Sequence, residues 1–170
     1  MQFYSKAKAF LQLVKFLIDW SQYETSKHNY DRTVKLLLEA QTVGRKIKKW
    51  KEISENIQVK EMMDTVNDFL EAKQIKSSDP NKSYELCLKI IEKDINIMSV
   101  EEGDCYALLL QLETDFQKSY RFVQEMLQKG ISPLQYVEKQ TLDKIYCNVD
   151  EIWESKDDED NYYILDETDK

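Results

Sequence analysis

Tyr30-Asp31-Arg32-Thr33-Val34-Lys35-Leu36-Leu37-Leu38-Glu39-Ala40 decides the fold class. Aromatic Tyr30, small Thr33, large Leu37 and small Ala40 follow one another at steps of three and four, which brings them to one face of a helix. Phe116, Ser119, Val123 and Met126 repeat the pattern downstream, with flexible Met126 in the last place. A small residue within such a stripe lets an antiparallel helix come close, so both stretches read as parts of helical hairpins.

Upstream, Phe3, Ala7, Phe10, Leu11, Val14, Leu17 and Ile18 recur at helical spacing and predict one helix over the first 25 residues. After the polar turn Ser26-Lys27-His28-Asn29, its partner is expected from about Tyr30 to Trp50. Ile53, Ile57, Met62, Val66, Phe69, Leu70 and Ile75 mark a third helix, which Ser77-Ser78-Asp79-Pro80 ends. Asp79 suits the N-cap of a fourth and Pro80 its first position. Ser99-Val100-Glu101-Glu102 fits a capping box for a fifth helix through Tyr106, Leu109 and Leu112. A sixth starts near Asp115 and stops at Gly130 and Pro133, and a short seventh lies around Leu142, Ile145 and Tyr146. The prediction is all-α: a tetratricopeptide-like stack of about three helical hairpins, with a short C-terminal helix and an acidic tail. Its units are longer than the tetratricopeptide repeat of about 34 residues, mainly through their first helices.

The chain has 170 residues, 42% of them hydrophobic and 33% charged, enough for a core. Three glycines and two prolines are too few for the turns of a sheet protein. Residues 150–170 hold ten acidic and two basic side chains, so the net charge of -8 belongs to that tail and residues 1–149 are balanced. The expected division is a helical-repeat domain over 1–149 and an acidic tail, at least partly disordered, over 150–170. Such a polyanion disfavours nucleic acid as a partner. Gln12, Lys15 and Asp19 break the apolar run from Phe10 to Trp20, so neither a signal peptide nor direct membrane insertion is expected. Cys87, Cys105 and Cys147 are scattered and odd in number, consistent with reduced cytoplasmic thiols.

From Asp79 onward three blocks carry a resemblance. Asp79-Pro80 is followed by Cys87 and by Ile90-Ile91-Glu92; next comes Gly103-Asp104-Cys105-Tyr106; then Ser119-Tyr120-Arg121-Phe122-Val123-Gln124-Glu125-Met126. In order and spacing they resemble the C-terminal region of the intraflagellar transport protein 140 family, subunits of intraflagellar transport complex A, with residues 1–75 more weakly similar. The resemblance implies a non-enzymatic scaffold at the cilium and ciliary base that supports retrograde transport and the ciliary delivery of membrane proteins. Its partners would be other helical-repeat subunits of that complex. Members of the family begin with WD40 propellers and a long solenoid, so this chain reads as a fragment, an excised domain or a split gene product. A module of a vesicle coat or other trafficking scaffold shares the architecture and is the alternative.

No catalytic, metal or cofactor site is expected. His28, the only histidine, sits in a polar turn and reads as solvated. Glu101, Glu102 and Asp104 suit a helix start, where the backbone dipole favours negative charge. Gly44, Gly103 and Gly130 are isolated and form no phosphate loop. Arg45-Lys46-Ile47-Lys48-Lys49-Trp50-Lys51 reads as cations at a helix C-terminus with Trp50 packed inward. Candidate interaction residues lie elsewhere. At about 100° per residue the first helix carries two apolar stripes. Phe3, Ala7, Phe10, Val14 and Leu17 form one; Ala9, Leu13, Phe16, Trp20 and Tyr23 form the other. The second is expected to stay exposed as a docking face, for a partner or for self-association. Trp153 and Tyr162-Tyr163-Ile164-Leu165, unusual within a charged tail, are a second candidate docking motif.

Overall fold

A computed structural model describes the backbone of residues 2–93 and 99–149, with side chains from Lys6 onward. Among the described residues it contains seven α-helices and no strand: α1 Gln2–Ser26, α2 Tyr30–Gly44, α3 Ser54–Ile75, α4 Pro80–Glu92, α5 Glu102–Leu112, α6 Phe116–Gln128 and α7 over 139–149. The acidic tail lies outside the described residues. Residues 1–108 form one compact unit and the residues from 109 onward another.

In the first unit each helix packs against the next in sequence, α1 on α2, α2 on α3 and α3 on α4, the neighbour order of a hairpin stack. The stripe that decided the fold faces inward: Tyr30 is 5% exposed, and Thr33, Leu37 and Ala40 are fully buried. Val14, Leu17 and Ile18 of α1 and Val59, Val66 and Phe69 of α3 are buried with it, and the Tyr30 and Phe69 rings pack edge to face at 4.9 Å. The small residues sit at helix crossings, as their size requires. Thr25 and Thr33 join α1 to α2 through a 3.0 Å contact between their hydroxyls. Ser83 of α4 donates to the Ala72 carbonyl of α3 at 2.7 Å. A buried hydroxyl must be satisfied by its neighbour, so these contacts fix the register of each pair.

Three helix ends follow the expected chemistry. Asp79 Oδ1 accepts from Lys82 N at 3.2 Å ahead of Pro80, and Asp115 Oδ1 accepts from Gln117 N at 2.9 Å. At the end of α6, Gly130 takes φ +77°, and the amides of Ile131 and Gly130 close onto the carbonyls of Met126 and Leu127. In the second unit Ser119, Val123 and Met126 of α6 are buried, as are Leu142, Ile145 and Val149 of α7.

Two expectations are corrected. α2 does not run to Trp50 but ends at Gly44. The chain then turns through Lys49, at φ +60°, into a single 3-10 turn over Trp50–Glu52. Ile47 and Trp50 are both buried, and Trp50 Nε1 donates to Gln41 Oε1 at 3.1 Å. Burying an indole against the side of α2 stabilises more than continuing an exposed, lysine-rich helix would. Ser99 likewise does not cap α5, which starts at Glu102; the Glu101 carbonyl accepts the first amide bonds, from Asp104 and Cys105. Ser99 is buried, and among the described residues its hydroxyl has no hydrogen-bond partner.

Candidate protein-interaction surface

The two stripes of α1 meet different fates. Val14, Leu17 and Ile18 are buried with Ser21 and Thr25 behind them, while Ala7 and Phe10 are half-buried. Phe3 lies outside the described side chains. The other stripe faces outward: Leu13 is 42% exposed, Phe16 58% and Tyr23 59%, with Trp20 half-buried between them and Ala9 exposed. Hydrophobic side chains this large, contiguous along more than two helical turns, form the kind of patch that marks contact surfaces.

The stripe is also ordered by its own contacts. Phe16 and Trp20 pack ring against ring at 5.9 Å in a tilted arrangement. Trp20 Nε1 donates to Glu24 Oε1 at 3.3 Å, and the Arg32 guanidinium lies 5.1 Å from the Trp20 ring centre. Lys27 Nζ lies 5.6 Å from the Tyr23 ring. Cations thus lie over the Trp20 and Tyr23 rings, while Leu13 and Phe16 offer exposed apolar surface beside them. On the opposite flank Lys15 reaches Glu55 of α3 at 3.7 Å. The tail candidates Trp153, Tyr162, Tyr163, Ile164 and Leu165 lie outside the described residues.

The sequence did not reveal the polar junction at the far end of α1. His28 occupies the left-handed position that ends the helix, at φ +61°, and Asn29 N closes onto the Glu24 carbonyl at 2.9 Å. Its ring is half-exposed, as a turn residue should be, but it is not simply solvated: Nδ1 lies 2.7 Å from Asp104 Oδ2. The Tyr30 hydroxyl donates to the same carboxylate oxygen and accepts from Glu101 N at 3.2 Å. Burial, reinforced by the Asp104 carboxylate, holds the Tyr30 phenol far above its ordinary range. The junction ties the start of α5 to the α1–α2 turn. Among the described residues no group of three or more histidine, cysteine or acidic side chains could hold a metal ion. No helix among them is long and apolar enough to cross a membrane.

Helical hairpins stacked in this neighbour order define a helical-repeat scaffold. A sequence profile for one such scaffold, the C-terminal tetratricopeptide domain of intraflagellar transport protein 140, matches residues 12–128. The chain belongs to that family. All three blocks that carried the resemblance fall inside the match, which also takes in most of α1 and all of α2 and α3.

Proposed function

We propose that the chain is a non-enzymatic scaffold of intraflagellar transport complex A that works at the cilium and its base. There it supports retrograde transport and the ciliary delivery of membrane proteins. The observation that carries this reading is the family match over residues 12–128. The outward strip of α1, Leu13, Phe16, Trp20 and Tyr23, is the surface through which it would act. Its occupant is a helical hairpin of another subunit of the complex, because residues at helical spacing offer ridges and grooves for another helix pair. Trp153 and Tyr162 to Leu165 serve as a second, short docking motif. The strip is tested by changing Leu13 and Phe16 together to serine and isolating the protein from ciliated cells. Both side chains are exposed, so the thermal melt is expected to stay within a few degrees while helical subunits of the complex are lost from the isolate. Unchanged recovery of those subunits would defeat the proposal, as would global unfolding, or loss of self-association alone.

A further inference from the structure

A second surface, independent of α1, arises from the turn that replaces the end of α2. A groove with a cavity volume of about 510 Å³ runs between α2 and α3. Leu38, half exposed, and half-buried Met63 line it with apolar surface, with buried Trp50 beside them. The Trp50 N–H is engaged by Gln41, which also lines the groove. Arg45, Lys51 and Lys60 surround that floor, and all three are exposed. Among the described residues none of the three has an ion-pair partner. Elsewhere in the same unit Lys15, Lys82 and Lys89 each reach a carboxylate within 4 Å. One acidic side chain, Asp64, lines the groove against the three cations, and Lys48 and Lys49 flank it in sequence.

We infer that this groove docks an acidic peptide segment of a partner protein, with an aromatic or large aliphatic side chain placed on Leu38 and Met63. Charge complementarity selects the backbone class: unneutralised cations around a recess draw carboxylates in and set the register of what binds. The apolar floor selects the anchor, and thioether-bearing Met63 adapts to its shape. A volume in the lower part of the small-ligand range holds one or two side chains rather than a folded element. Asp64 disfavours a nucleic-acid strand, whose regularly spaced phosphates would meet it wherever the groove is followed.

The test uses the full chain and a short fluorescein-labelled peptide, Asp-Glu-Asp-Tyr-Ile-Leu-Asp-Glu-Asp, followed by anisotropy at low ionic strength. Saturable binding is expected. It should weaken roughly tenfold in Lys51→Glu/Lys60→Glu and fall steeply with added salt. A peptide with serines in place of Tyr-Ile-Leu should also bind about tenfold more weakly. Circular dichroism checks the fold, and Lys51→Gln/Lys60→Gln replaces the reversal if that variant unfolds. Leu13→Ser/Phe16→Ser should bind the peptide normally, which separates this groove from the α1 strip. Equal affinity for the serine peptide, or indifference to the lysine changes, overturns the inference. So does tighter, lysine-dependent binding of a single-stranded oligonucleotide or of anionic vesicles, or concentration-dependent self-association that the lysine changes abolish.

Discussion

The indole of Trp50 fills the space that a side chain on Gly44 would need: a Cβ there would lie 2.4 Å from Trp50 Cε2 and Cζ2. Two effects of Gly44→Ala therefore oppose each other. Alanine favours the helix by up to about 1 kcal/mol, less at a terminal position. Displacing a rigid ring from a packed site costs roughly 1–3 kcal/mol, and this ring is also tethered to Gln41. The clash should win, with a net loss of about 1–2 kcal/mol. A lower urea midpoint is the expected result; a raised one would show that the turn over residues 45–49 yields freely.

Tyr30 and Cys87 give the fold an alkaline limit. Burial, with the neighbouring Asp104 carboxylate, raises the Tyr30 phenol above its ordinary 10.0, and burial alone pushes the Cys87 thiol from 9.0 up to about 12. Both groups hold their protons more tightly in the folded chain, so their contribution is complete below about pH 9. It is lost as pH rises, because the unfolded chain releases those protons first. Each group adds a slope of about 1.4 kcal/mol per pH unit once the unfolded state has ionised. Denaturant titrations between pH 8 and pH 11, taken roughly as that window, should show the decline begin near 9 and steepen past 10. Tyr30→Phe should remove the steepening while costing about 1–2 kcal/mol at neutral pH, since it strips Asp104 and Glu101 N of a partner. An unchanged alkaline slope in that variant would assign the decline to other groups.

What could be read from the sequence was chemistry that acts within a few residues. Asp79-Pro80, Asp115 and Gly130 start and stop helices through bonds to amides and carbonyls close in the chain, and each does so here. The inward stripe of α2 and the split of α1 into a buried and an exposed face were equally local, since helical periodicity alone sorts them. Trp50 was harder. Periodicity carried α2 through it, and only the close fit of an indole over Gly44, six positions earlier, ends the helix sooner. Ser99 matched a capping pattern, but the Tyr30 hydroxyl takes the Glu101 amide, and α5 begins after it. His28 and Asp104 stand 76 positions apart, so their contact exists only once the hairpins have stacked. Arg45 and Lys51 were legible within a run of cations, but the recess was not, because Lys60 and the second wall belong to α3.

Thr33 separates two reasons for the small residue in the fold-defining stripe. It is fully buried where α2 crosses α1; its hydroxyl meets Thr25 Oγ1 at 3.0 Å and lies 3.2 Å from the Asn29 carbonyl and 3.4 Å from that of Ser21. Thr25 has a bond of its own to the Ser21 carbonyl, at 3.0 Å. Thr33→Val keeps the shape and removes the hydroxyl, and because Thr25 retains its other acceptor the loss should be modest, about 1 kcal/mol. Thr33→Leu adds volume at a fully buried contact between the two helices and must push them apart or twist a rotamer, for roughly 1–3 kcal/mol. Thr33→Ser keeps the hydroxyl and leaves a methyl-sized gap, for about 1 kcal/mol. If close approach is what the stripe encodes, the order of stability in urea titrations is wild type, then serine and valine together, then leucine. A valine variant as damaged as the leucine one would mean that the hydroxyl contact, rather than the size of the side chain, holds α1 against α2.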